Sequence, residues 1–332
     1  MVSDRELAAY EARSQLGVDF LRGVLGAGAP LPSAPCDLTL FAKPACLFAS
    51  AGCLLEANRL LDQLAAQHLQ PDGDFLSGEG AKAIEVDYLN HFWSYPNGWI
   101  ALAAHKLGRF DLSYPAYRFM HGLVDAETGA VFNLPEGREP RYLDLVSTAH
   151  TGHVALYLGD VACARRACGA LQMFFENQPE RERRFYLRFH ADGSPVTEFS
   201  DEDRPFFVLN TSAPDHFYFM LGYPLALLSL FHRATGGEPE LANARRYFEL
   251  LATCPGVARQ HFSHKVAWGA AVYHRASGDT EAATLAQSIL DFLVEQQDDQ
   301  GRFFADQPPA TCWDQTAEAA FWLRTAAAEL RG

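Results

Sequence analysis

The residues that could do chemistry gather just ahead of, or inside, apolar helix-like runs. The densest group is Glu85, Asp87, His91, Trp93 and Tyr95 before Pro96, followed by Asn97 and Trp99. An acid and a histidine set in an aromatic wall suit either sugar stacking or stabilisation of a cation. The plainer alternative is a loop plugged by buried aromatics, with its acids at the surface.

Asp144 precedes the run Leu145–Leu158, in which His150 and His153 stand at i,i+3 on one helix face. Such a pair can act as general acid and base, or hold a metal. It can equally be one hydrogen-bonded core histidine and one groove histidine. His261 and His264 repeat the spacing, with Lys265 beside them and Trp268 a turn beyond. Asp215 and Tyr218 open a further apolar run, where Asp215 reads as a first-turn acid favoured by the helix dipole. Asp314 and Glu318 stand at i,i+4 with Trp322 on the same stripe and Cys312 and Trp313 just ahead. Like charges at that spacing cost ~0.2–0.5 kcal/mol in isolated helices, so the pair needs a partner or a use. Sharing a proton would raise one pKa and create a general acid; a bridging Arg or Lys would instead hold both as anions.

No metal or cofactor is expected. Cys312 lacks a complete set of ligands at zinc spacing, and there is no GxGxxG, GxxxxGK[ST], haem-attachment or GxSxG motif.

The elements that must carry these residues alternate in character. Leu38–Ala51, Pro96–Leu107, Leu145–Leu158, Pro214–Ala234, Phe262–Ala276 and Thr316–Leu330 are apolar on most sides, the pattern of buried inner helices. Each of the first five is followed by an amphipathic, outer helix, and Glu6–Leu25 supplies a sixth. Glycines recur between partners, as at Gly52, Gly108, Gly159, Gly236 and Gly278. A second motif recurs after the outer helices: a turn glycine and then an aromatic, in Leu69–Phe75, Asp125–Phe132, Phe189–Phe199 and Leu290–Phe303. The expectation is an all-α chain, one domain over 1–332, built as an (α/α)₆ toroid of about twelve helices. A small insertion near residues 181–212 would form a hairpin or lid, with Asp201-Glu202-Asp203 as a solvated charge run.

The 332 residues are 48% hydrophobic and 12% aromatic, ample for a large core, and the formal charge of −14 argues against nucleic-acid or anionic-membrane partners. A small-molecule substrate is the expected partner. Seven scattered cysteines without a CxxC pair, and an N-terminus without a signal-like apolar run, point to a reduced, cytoplasmic protein.

Phe292-Leu293-x₃-Gln297-x₃-Gly301-x-Phe303 resembles the glutamine-aromatic repeat of squalene-hopene-type terpenoid cyclases and protein prenyltransferase β subunits; Gln70–Phe75 matches in part. The glycine-aspartate turns and six helix pairs are also similar to sugar-active toroids, such as unsaturated uronyl hydrolases and N-acylglucosamine 2-epimerases. The chain departs from each family's catalytic signature. The nearest string to the cyclases' DxDD is Asp201-Glu202-Asp203, the zinc D-x-C pair is replaced by Cys312-Trp313-Asp314, and Glu318 and Trp322 match only a fragment of the epimerase motifs.

The expected enzyme performs acid–base chemistry with Asp87, His91, Asp144, His150, His264, Asp314 and Glu318. Trp93, Tyr95, Asn97, Trp99, His153, Asp215, Tyr218, His261, Trp268 and Trp313 would line the substrate. The first reading, which the cyclase resemblance implies, is cyclisation, isomerisation or elimination on an isoprenoid- or polyketide-like molecule, with Asp87, Asp144 or Asp314 as the acid. The second is hydrolysis of an unsaturated uronide or epimerisation of a sugar, with Asp87 and Asp144 as acid and base and His150 or His264 as shuttles. The third is a binding toroid without catalysis.

Overall fold

The computed structural model describes all residues of the chain except Met1, Ala27, Ser33, Ala34, Pro35, Glu79, His216 and His261. They fall into two compact units. One comprises residues 8–122 and 293–324, the other residues 1–7, 123–292 and 325–332.

The first unit contains α2 (Thr39–Ser50) packed on α3 (Leu54–Gln67), and α4 (Tyr95–Lys106) packed on α5 (Phe110–His121), with α2 also against α4. It also holds most of α1 (Asp4–Leu25) and of α13 (Pro309–Leu330). Almost every residue of α2 and α4 is buried, as their unbroken apolar sequence requires, whereas α3 and α5 bury one stripe. Pro96 sits in the first turn of α4, where a missing N–H costs nothing. A short 3₁₀ helix, Asp87–His91, leads into α4.

The second unit carries α6 (Leu145–Leu158) and α7 (Val161–Glu176), α9 (Phe219–Thr235) and α10 (Glu238–Thr253), and α11 (His264–Ser277) with most of α12 (Thr280–Gln296). Helix α9 lies between α6 and α11 and packs on both. Asp144 caps α6 by accepting from Ser147 N at 2.7 Å, and Gly159 ends it in the left-handed region. Asp160 then caps α7 at once.

The inner–outer alternation is therefore as the sequence predicts, with shifted starts. Helix α9 begins at Phe219 rather than Pro214, because the segment before it closes on itself through Asp215. Helix α13 begins at Pro309 rather than Thr316, so Cys312, Trp313 and Asp314 are helical. The turn glycines at 52, 73, 108, 129, 159, 193, 236, 278 and 301 all have positive φ. The aromatic plug is less regular than expected. Phe75 and Phe303 are fully buried, but after Gly129 and Gly193 the buried residues are Val131 and Val196, with Phe132 and Phe199 half-exposed.

Residues 181–212 fold as strands rather than as a simple hairpin. Strand β3 (Arg184–Tyr186) pairs antiparallel with β5 (Val208–Asn210), and the single turn α8 (Arg204–Phe207) lies between. Strand β4 (Arg188–Phe189) instead joins β2 (Leu143–Asp144), which pairs with β1 (Val131–Phe132). The insertion is thus stitched to the strand that feeds α6. Among the described residues no helix is long and apolar enough to cross a membrane.

Candidate active site

In the second unit the histidine helix, α6, faces α9 and α11. His150 is buried and meets Tyr223 edge to face at 5.4 Å; His153, one turn on, is partly exposed and lies 5.1 Å from Trp268. Tyr223 and Trp268 touch at 5.7 Å, and the two histidine rings are 6.4 Å apart. Three glycines make this closeness possible. A Cβ on Gly152, between the histidines, would lie 2.5 Å from Leu227 and 2.7 Å from Ala167. Gly222 and Gly269, next to Tyr223 and Trp268, pack backbone against backbone.

Burial lowers the His153 pKa to about 4, so the ring is neutral at neutral pH. Its Nδ1 has no hydrogen-bond partner. A neutral imidazole beside an indole face is equipped to take a proton from a bound molecule.

His264 opens α11, fully buried, with Nε2 3.1 Å from Lys265 Nζ. Lys265 is itself buried and lies over the rings of Phe219 and Phe262 at 4.4 and 5.2 Å. With the lysine donating, His264 is the neutral tautomer protonated at Nδ1. Asp144 is tied elsewhere. Besides capping α6 it accepts from Arg188 at 3.4 Å across the β2–β4 pair, and Arg188 lies over Phe207 at 4.6 Å. Burial raises the Asp144 carboxyl, opposed by Arg188 and the cap bond; burial lowers the Arg188 pKa. Asp215 accepts from Asn210 N and Phe217 N, and Tyr218 donates to the carbonyls of Ala213 and Asn210, so both fasten the lead-in to α9. His261, expected to line the substrate, lies outside the described residues.

The first unit gathers the other candidates. Lys43, the one lysine of α2, is 3% exposed and donates to Asp314 Oδ2 at 2.6 Å and Glu318 Oε2 at 2.7 Å. Burial alone would lower its pKa, but the two carboxylates outweigh that and raise it. The structure thus supplies the bridging lysine that the sequence left open as the alternative to a shared proton: one buried ammonium is bonded to both carboxyl groups. Glu318 also accepts from Tyr95 at 2.7 Å and Trp322 at 3.4 Å, and Trp99 packs between Phe321 and Trp322 at 5.2 and 5.6 Å. Trp93 and Asn97 belong to a separate knot. Trp93 donates to Asp74, and the fully buried Lys82 reaches Asp74, Phe75 O and Asn97 Oδ1. Asp87 is exposed, His91 and Trp313 are partly exposed, and burial pushes the Cys312 thiol up, away from thiolate.

Several participants escape the motif reading. Lys43, Lys82 and Arg188 are buried cations, and Tyr223 lies mid-helix. The signal for Lys43 was present as a single charge in an otherwise apolar run, TLFAKPACLFAS.

No protein-family profile matches the chain, and no curated protein matches it by sequence. Solved structures do. A D-mannose isomerase superposes with a TM-score of 0.65 at 11% identity over 97% of this chain and 98% of its own. A type II terpene cyclase from Scytonema, in complex with geranylgeranyl dihydroxybenzoate, gives 0.59 at 13% over 99% and 100%. A family 76 α-mannanase from Bacteroides thetaiotaomicron gives 0.61 at 14% over 96% of each chain. These are α/α toroids, and the chain has that all-α fold.

Proposed function

We propose that this chain is a small-molecule isomerase that moves a proton between carbons of a carbonyl-bearing, sugar-like substrate, with His153 as the base. The observation that carries the reading is His153 itself, held neutral by burial yet partly exposed, against the face of Trp268. The indole and Tyr223 offer flat surfaces for a ring or an extended polyol. His153 takes the proton from the carbon beside the carbonyl, leaving an enediolate. The proton of the adjacent hydroxyl passes to the former carbonyl oxygen, and His153 returns its proton to the former carbonyl carbon, so that the carbonyl has moved by one position. No redox equivalent is consumed, in keeping with the absence of a nucleotide fingerprint in the sequence.

An isoprenoid cyclase is the second reading, favoured by the aromatic rings around His150 and His153 and by the likeness to the terpene cyclase. It needs a carboxylic acid ready to give up a proton. Asp314 and Glu318 both hold Lys43, which weighs against it; Asp144, whose carboxyl pKa burial raises against the pull of Arg188, is the acid this reading would use.

The test is incubation with aldoses, ketoses and amino sugars in D₂O, followed by NMR. Deuterium entering beside the carbonyl, abolished in His153→Asn, is the expected result. No exchange or conversion of any sugar, with conversion of a polyprenyl substrate instead, would transfer the assignment to the cyclase.

A further inference from the structure

Gln315, beside Asp314 on α13, is 2% exposed, and its amide has one defined orientation. Its nitrogen donates to Asp314 Oδ2 at 2.8 Å and to the Tyr88 hydroxyl at 3.1 Å. The opposite orientation would set an amide oxygen against a carboxylate that already holds Lys43, two acceptors face to face. The amide oxygen, Oε1, is therefore the end left over, and it is buried without a hydrogen-bond partner. A buried acceptor of this kind is costly unless something donates to it.

Tyr88 completes the pair. Its oxygen accepts from Gln315, so its own hydrogen is available to a further group, and the residue is partly exposed. Burial, the largest influence, with the nearby Asp314 and Glu318, raises its pKa against the opposing pull of Lys43 and keeps the phenol a donor. The segment that carries it is pinned from below. Asp37, itself buried, accepts from Ile84 N at 2.7 Å and Glu85 N at 2.8 Å, three or four residues before Tyr88.

One donor and one acceptor on neighbouring side chains select the kind of group that can meet both. A carboxylate only accepts and an ammonium only donates, whereas a hydroxyl does both. We propose that Tyr88 and Gln315 form a recognition site for a hydroxyl group of a neutral polyol or sugar. The assignment of a sugar class rests on the function proposed above; the donor–acceptor pair itself does not. An isoprenoid chain has no group to satisfy Gln315 Oε1, so the site discriminates between the two readings of the fold.

The test is calorimetric titration of the full chain with D-mannose, D-glucose and farnesyl diphosphate, an isoprenoid without a hydroxyl, in the wild type, Tyr88→Phe, Gln315→Met and His153→Asn. The expected result is that one of the sugars binds, and that Tyr88→Phe and Gln315→Met each weaken it about tenfold or more. Tyr88→Phe keeps the ring but removes an acceptor from Gln315 Nε2, so its thermal midpoint is measured beside its Kd, and a folded variant with a weakened Kd separates lost recognition from lost folding. His153→Asn is expected to keep the sugar Kd within about threefold while losing solvent exchange. Binding of neither sugar, or of farnesyl diphosphate alone, overturns the proposal, as does sugar binding unchanged in Tyr88→Phe. An unchanged Kd in Tyr88→Phe with exchange still lost in His153→Asn would remove this site and leave the isomerase standing. Sugar binding lost in Tyr88→Phe, with no exchange in the wild type, would do the reverse.

Discussion

A Cβ placed on Gly269 would lie 2.6 Å from the carbonyl oxygen of Gly222. Helices α9 and α11 therefore meet backbone to backbone, and that contact sets Tyr223 against Trp268 in the histidine site. The small residues are a positioning device for the aromatic ones beside them.

Gly222→Ala puts a methyl 2.6 Å from Lys265 O and 2.8 Å from Val266 N, atoms of a helix backbone that cannot step aside alone. Overpacking of this kind costs ~1–3 kcal/mol. The expected outcome is a thermal midpoint lowered by several degrees together with reduced turnover. Gly169→Ala, on α7 with no atom near its Cβ, is the control and should be neutral or slightly stabilising.

Lys43→Met leaves Asp314 and Glu318 buried without their cation. Removing one partner of a buried ionic group costs about 3–5 kcal/mol. Urea denaturation should show that loss, and the triple variant Lys43→Met, Asp314→Asn, Glu318→Gln should recover most of it. A single variant as stable as the wild type would mean that the acids carry a proton between them after all.

His153 links stability to pH. Its folded pKa of about 4 lies below the value near 6.5 of an unfolded chain. Below pH 6.5 the unfolded state takes up a proton that the folded state refuses, so stability falls as pH drops from about 6.5 to about 4, then levels. Over that range the loss amounts to about 3 kcal/mol. Subtracting the pH profile of His153→Asn from that of the wild type isolates this share from the carboxylates.

The same depression shapes the rate. A histidine base of ordinary pKa would lose kcat/KM below about pH 6.5. Here the free enzyme should hold its kcat/KM down to about pH 5, measured by exchange into D₂O with short incubations. A limb centred near 6.5 would assign the base to another residue.

Arg188→Met strands the Asp144 carboxylate at the head of α6. The cost should again reach about 3–5 kcal/mol, and adding Asp144→Asn should restore much of it, since asparagine caps a helix as well as aspartate does. Equilibrium denaturation of the two variants checks the order.

Much of the fold was legible in local pattern. Apolar runs named the inner helices, Leu145–Leu158 to the residue, and glycines marked the turns because only they take positive φ without strain. The i,i+3 histidines were legible for the same reason, since helical spacing alone puts them on one face. What lay beyond local pattern was which distant groups answer each other. Lys43 and Asp314 are 271 residues apart, and nothing in either segment names the other. Tyr88 and Gln315 are 227 apart, and neither stands in a motif. Asp144 meets Arg188 only through the pairing of β2 with β4, and nothing around either residue in the chain names the other. Spacing along a chain fixes the face of a helix or strand on which a side chain stands. Which charge, ring or amide it meets there is decided by packing between elements, and burial then decides its protonation.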